Sequence, residues 1–265
     1  MNHCKPIFSL IAVSCLGMAS IAACSVKEER SVCPCYLEVE FEDGGSIINP
    51  VLLAGWNESQ LFGVETVPAD YPDGYVQKVS RTMLMFGAAN GLKAGRLHGH
   101  TIMIPAGEEC DSLYVFNDYV DCTGEAASAR VRFHKQFATV NLVFGKSDTE
   151  GYAFVAEAGS CGIDMLTCGV VHGAFRCTPV PGDDGRQSFR IPRQDDDGLS
   201  LTIVSPAGDD YTFPIGEYIA RTGYDWSATD LQDIYITLDF ADGRISVGVA
   251  DWEQVQDFDL TTVEL

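Results

Sequence analysis

The sequence predicts an all-β protein built from sandwiches. Three observations carry this. Runs of four to eight apolar and β-branched residues recur along most of its 265 residues, as half-buried strands require. Turn-forming groups separate them: Gly44-Gly45, Asn49-Pro50, Asp73-Gly74, Gly182 to Gly185, Asp195 to Gly198 and Asp242-Gly243. No window holds a helical period beyond three turns. Many short strands with frequent turns are the pattern of stacked sheets.

Taken in order, the chain begins with one basic residue, Lys5, and an apolar run from Ile7 to Ala19. Small residues follow. This is the layout of a secretory signal, too short to cross a bilayer comfortably. Ser20-Ile21-Ala22-Ala23-Cys24 resembles a bacterial lipobox, which implies a signal peptide over 1–23 and acylation at Cys24. More than one buried acyl chain anchors stably, since each buried methylene contributes roughly 0.8 kcal/mol. Residues 24–31 read as a lipidated polar tether.

Leu37-Glu38-Val39-Glu40-Phe41-Glu42 alternates apolar and acidic residues, so the first strand has one buried and one wet face. Val51 to Trp56, Gln60 to Val67, Gln77 to Phe86, Thr101 to Ile104 and Leu113 to Asn117 complete a first domain over 32–128. The small, polar stretch Gly124 to Ser128 marks its end. A second domain over 129–265 carries Ala129 to Phe144, Tyr152 to Ala156, Val170 to Cys177, Gln187 to Ile191, Leu199 to Val204, Tyr211 to Pro214, Ile234 to Phe240 and Ile245 to Val249. Asp242-Gly243 between the last two is a hairpin signal.

Seventeen basic against thirty-eight acidic residues give a net charge of −21. That argues against nucleic acid, whose phosphates need Lys and Arg, and against adhesion to anionic lipid by charge. Of ten cysteines, Cys4 and Cys15 leave with the signal and Cys24 is taken by lipid. Cys33, Cys35, Cys110, Cys122, Cys161, Cys168 and Cys177 remain, an odd set. Proximity in sequence suggests Cys110 with Cys122 and Cys161 with Cys168, although connectivity does not follow from spacing.

Candidate chemistry is sparse. Cys33-Pro34-Cys35 lacks the second ligand pair of a zinc site and the spacing of a thioredoxin motif. It reads as the entry to the first strand. His98 and His100 would share a face if 97–102 were one strand, without a carboxylate or cysteine at recognisable ligand spacing. Asp183-Asp184-Gly185 and Asp195 to Gly198 lack the rest of a calcium loop and read as solvated turns. No nucleophile elbow, phosphate loop or zinc-protease helix occurs, and no carboxylate pair stands out. The expectation is therefore no enzyme, no cofactor and no metal. Trp226 and Trp252 are expected in the core.

The last third carries the most specific text: Ile191-Pro192-Arg193-Gln194, Ile215-Gly216-Glu217-Tyr218-Ile219, Thr222-Gly223-Tyr224-Asp225-Trp226, Asp230 to Ile234 and Val249-Ala250-Asp251-Trp252. Together with the lipobox, Arg30 and Cys33-Pro34-Cys35, it resembles the FimB-like fimbrial anchor family, the anchor lipoproteins of type V pili. The resemblance implies two tandem transthyretin-like β-sandwiches. It implies a lipid-anchored basal subunit at the outer membrane, with fimbrial shaft or accessory subunits as partners. Wider relatives join by strand exchange, a groove opened by removal of an N-terminal strand accepting a neighbour's C-terminal strand. An anchor tethered through its first strand has to keep that strand. Its segment Val255 to Leu265 either donates to a neighbour or closes its own second sandwich. The alternative is a surface lipoprotein that binds glycan or peptide for an outer-membrane uptake system.

Overall fold

The computed structural model describes residues 33–42, 47–48, 50–144, 151–181, 186–239, 244–249 and 255–259. The lipobox, Cys24, the tether, the Asp183-Asp184-Gly185 turn, the Asp242-Gly243 turn, Trp252 and residues 260–265 lie outside these.

The first strand, β1 (Cys35–Phe41), shows why its sequence alternates. Cys35, Leu37 and Val39 are buried while Tyr36, Glu38 and Glu40 face solvent. It lies in the middle of a three-stranded sheet. One neighbour is β4 (Tyr75–Val79), antiparallel; the other is β9 (Ala126–Val131), parallel. A five-stranded sheet packs across from it. Its order is β10 (His134–Lys135), β8 (Tyr114–Asp121), β5 (Met83–Asn90), β2 (Val51–Asn57) and β3 (Ser59–Thr66). The core between them joins Leu37, Val39, Val79, Ala129 and Val131 to Val51, Leu53, Leu84, Phe86, Ala88 and Val120. The stretch expected as one strand, Gln77 to Phe86, is two, β4 and β5, because the chain turns at Ser80 to Thr82 to change sheets.

A second pair of sheets encloses a larger core. One has the order β14 (Val180–Pro181), β15 (Gln187–Pro192), β11 (Phe137–Phe144), β18 (Ile234–Asp239), β19 (Arg244–Val249) and β20 (Val255–Asp259). The other has β17 (Asp210–Phe213), β16 (Ser200–Val204), β12 (Ala153–Asp164), β7 (Thr101–Met103) and β6 (Leu97–His98). A further strand, β13 (Val170–Cys177), pairs with the long β12 through two irregularities in register. Strands β18 and β19 pair antiparallel as the Asp-Gly signal requires.

Among the described residues the architecture is thus all-β and multi-sheet, with one short α-helix, α1 (Ile215–Arg221). The sequence reading did not foresee α1, because two turns fall below the length at which a period shows. The helix is held by packing: Ile215, Gly216, Tyr218 and Ile219 are buried. Gly216 approaches so closely that a Cβ there would meet the Asp197 carbonyl oxygen at 2.2 Å. Gly162 on β12 makes a similar approach to the Ile102 carbonyl, at 2.1 Å, which lets β7 lie against it.

Two pieces cross the division expected at 128/129. Residues 126–131 form the single strand β9, whose Ala129 and Val131 belong to the first core. Strands β6 and β7, though earlier in sequence, join the sheet of β12. The five-stranded sheet also has a foot in each core: its Ala54, Trp56, Ala89 and Val115 pack with the second.

Candidate functional site

The chemistry-bearing residues singled out above resolve into three places: the seat of β1, the outer edge of β20, and a polar clamp built from the C-terminal motifs.

The seat of β1 is complete. Backbone pairing runs from Cys35 to Val39 along β4 and from Tyr36 to Phe41 along β9. Both edges of β1 are therefore satisfied, and Leu37 and Val39 fill the space beneath. Without β1, the edges of β4 and β9 that it pairs would face an open slot over the apolar floor of Leu53, Leu84 and Phe86.

Strand β20 is the outermost member of its sheet. Its Val255 to Asp259 pair with β19, and no strand lies on its other side among the described residues. Phe258 tilts over Tyr218, ring centroids 5.6 Å apart, and the Tyr218 hydroxyl donates to the Asp259 carbonyl at 3.2 Å. The described part of the C-terminal segment thus closes the protein's own sheet and presents one bare edge.

The clamp gathers the motif residues into one cluster. Arg193 follows β15 and is almost fully buried. Its guanidinium donates to Gln136 Oε1 at 2.8 Å, to the Ala228 carbonyl at 2.7 Å, to the Thr229 carbonyl at 3.3 Å and to the Trp226 carbonyl. Burial pushes its pKa below the usual arginine value, yet it stays charged, as arginine does in proteins. Gln194 next to it accepts from the Ser160 N–H at 3.1 Å and donates to the Pro192 carbonyl at 2.7 Å. Asp230 accepts from the Lys135 N–H at 2.7 Å and meets His134 Nδ1 at 3.1 Å. Asp233 accepts from Lys135 Nζ at 2.6 Å and the Thr139 N–H at 2.9 Å. Burial works to raise both carboxyls, but these donors outweigh it and hold both below the ordinary carboxylate range. Tyr224 packs edge-on against Trp226, centroids 4.7 Å apart, and its hydroxyl donates to the Gln232 carbonyl at 2.7 Å. Burial pushes that phenol well up. Each polar side chain here serves the backbone, so the cluster pins the 222–233 loop to the start of β11.

Beside the clamp is an open cleft of about 580 Å³, bordered by Cys168, Arg193, Gln194, Asp195, Asp225 and Trp226. Trp226 is half-buried and packs against the core, in line with its expected role.

The remaining candidates separate. His98 and His100 do not share one strand: Gly99-His100 is the turn between β6 and β7. His100 Nδ1 instead meets Asp164 Oδ2 at 3.0 Å, and His98 is exposed. Asp196 accepts from the Gly198 N–H at 3.0 Å, and Asp195 faces His172 at 3.4 Å, as in a solvated turn. Among the described residues, no group of three or more His, Cys, Asp or Glu is placed to hold a metal.

The cysteine pairs suggested by spacing are not formed; all seven described thiols are free. Cys110 and Cys122 flank opposite ends of β8 and belong to different cores. An eight-residue strand spans roughly 26 Å, far beyond disulfide reach. Cys161 is buried in β12 with Gly173 across from it, whereas Cys168 lies in the following turn at φ 53°.

The chain matches no protein-family model and no curated protein. Its fold matches solved structures. A candidate polysaccharide-binding protein from Bacteroides thetaiotaomicron aligns at a TM-score of 0.61 and 13% identity, over 86% of this chain and 98% of that one. The fimbrial anchor protein Mfa2 from Porphyromonas gingivalis aligns at 0.57 and 10%, over 83% and 98%. A candidate adhesin from Bacteroides ovatus aligns at 0.56 and 12%, over 88% and 96%. At such identities the likeness is one of fold: this chain has, over nearly the full length of those proteins, the architecture of solved fimbrial and adhesin proteins.

Proposed function

We propose that the protein is a structural subunit of a type V fimbrium, the lipid-anchored basal subunit that attaches the shaft to the outer membrane. Its two tandem bodies are transthyretin-like sandwiches in this reading. Acylated Cys24 supplies the membrane attachment, and sheet-edge contacts with shaft or accessory subunits supply the other end. The observation that carries the reading is the position of β1. It lies eleven residues after Cys24 and fills the centre of the first sheet. Cutting it away would release the body from its tether, so an anchor keeps it. With that groove filled, pairing falls to an outer sheet edge, and β20, at the C-terminal end of its sheet, offers one, since an unpaired edge accepts another strand through its backbone groups. The likeness in fold to a fimbrial anchor supports the same assignment. Catalysis has no part in it.

The test is fatty-acid labelling of cells carrying the natural chain or Cys24→Ala, with fractionation of fimbriae. The natural chain takes up label and fimbriae stay on cells. Cys24→Ala loses label and fimbriae enter the medium. Label retained by the variant refutes the lipid anchor. Deleting 255–265 tests the edge: folding and lipidation persist while attachment is lost.

A second reading has one observation behind it. The cleft beside Trp226 combines an aromatic with Asp195 and Asp225, the mixture that sugars stack on and bond to, and a fold neighbour is a candidate polysaccharide-binding protein. Under this reading the chain is a surface lipoprotein that captures glycans. Binding to an outer-membrane polysaccharide array, abolished by Trp226→Ala, would favour it over assembly.

A further inference from the structure

Two cysteines that lie far apart in sequence meet inside the first core. Cys35 opens β1, and Cys122 directly follows β8. Both are fully buried and belong to the same apolar cluster. The backbone brings them together from two directions. The Tyr36 N–H donates to the Glu125 carbonyl at 3.0 Å, so the segment leaving β8 runs beside the start of β1. From there Tyr36 stands opposite Ala126 as the parallel pairing of β1 with β9 begins. On the other side, Cys35 stands opposite Val79 at the end of β4, and the Cys122 N–H donates to the Thr82 carbonyl at 3.0 Å, just past that end. The Cys35 thiol is a neighbour of the Cys122 thiol and adds to burial in raising its pKa.

We propose that Cys35 and Cys122 form a disulfide in the exported protein, tying the entry of β1 to the far end of the facing sheet. The bond rests on export alone. Its mechanical consequence rests on the anchor reading. A signal sequence takes the chain out of the reducing cytosol, and exported compartments maintain disulfides. The chemistry is a two-step exchange with a protein disulfide of that compartment. One cysteine thiolate attacks the carrier's disulfide to give a mixed disulfide and release one carrier thiol. The second cysteine thiolate displaces the carrier's other sulfur. The new S–S bond has lost two electrons and two protons, both held by the carrier's dithiol. In the folded protein burial, and then the neighbouring Cys35, push the Cys122 thiol up to about 12. A thiol so protonated is a poor nucleophile, so the exchange belongs to the stage of folding before the core closes. Exposed Cys33, two residues away, is left free.

The link changes what β1 can do. Without it the strand is held by its ladder and by Leu37 and Val39, and it can be drawn out of the groove by its N-terminal end. With it, force on the tether reaches the body at Cys35, the first residue of the β1 ladder. The slot described above is then closed to exchange.

The experiment maps the thiols of the full chain. Cells exporting it are treated with an alkylating reagent in denaturant, and the chain is digested without reduction and analysed by mass spectrometry. A second sample, purified as the full chain, is refolded in a glutathione redox buffer. The expected result in both is a Cys35 peptide joined to a Cys122 peptide, separable by reductant, with Cys33 alkylated. Reduction then speeds amide exchange at Leu37 and Val39 at least tenfold. Alkylation of both Cys35 and Cys122 in the exported chain, or a bond from either to another cysteine, overturns the proposal. If the bond forms on refolding but not in cells, the failure lies in the export reading and not in the placement of the two sulfurs.

Discussion

The two cores of the molecule are held by different means. The first depends on alternation and ladder: β1 contributes Cys35, Leu37 and Val39 to a small apolar interior and is gripped by backbone bonds on both edges. The second surrounds a larger interior and adds a clamp of buried polar groups, in which Arg193, Gln194, Asp230 and Asp233 fasten loops to strands. A strand held by a ladder is interchangeable with any strand of similar pattern, because backbone groups are the same in every sequence. A loop held by a forked guanidinium is not. The first core therefore rests on a ladder that backbone alone can make, and the second adds contacts that only these side chains make.

Substitutions can break this contrast. The largest effect is expected in the small core. Phe86→Ala removes a fully buried ring beneath β1 and should cost about 4 kcal/mol, read as a lower urea midpoint with early loss of protection in β1. Next is the clamp. Arg193→Leu leaves the carbonyls of Trp226 and Ala228 without their donor and that of Thr229 with only Gln136 Nε2 at 3.5 Å, and should cost about 3 kcal/mol. Arg193→Lys should recover less than half of this, because an ammonium cannot reproduce the planar fork. If Arg193→Leu were neutral, the loop would be held by packing and the contrast would fail. Gly216→Ala pushes a methyl into the Asp197 carbonyl and should cost about 2 kcal/mol, with β1 protection unchanged.

The smallest effect is a pH dependence to which the clamp contributes. Asp230 and Asp233 have folded pKa values below their ordinary ones. The stabilisation is thus present above the unfolded carboxyl pKa of about 4 and lost as pH falls through the lower folded values. Melting temperature should drop through that acid window. Asp233→Asn should flatten the drop, and its persistence unchanged in that variant would remove Asp233 as the cause.

What the sequence disclosed follows from the kind of interaction involved. Period-two strands such as Leu37 to Phe41 and Ile234 to Asp239 were legible, since alternation is written residue by residue. The motif text around Arg193 and Trp226 was legible as something particular, but its use was not: donors on 193 and acceptors on 226 to 229 meet only through the sheet. Helix α1 escaped because two turns give no period. Cysteine spacing misled for the same physical reason in both suggested pairs. Residues close in sequence are driven apart by the strand or turn between them, while Cys35 and Cys122 are brought into one core by topology alone. The crossing of β6–β7 into the sheet of β12 was invisible, because their pattern does not say which edge they will meet.

Mass spectrometry of the intact chain taken from fimbriated cells tests the central claim most directly, namely that β1 stays in its groove and joins the body to the membrane. The account predicts a mature chain that begins at acylated Cys24 and retains Cys35 to Phe41. A cell-attached chain that begins beyond Phe41, or one starting without acyl mass at Cys24, would contradict it.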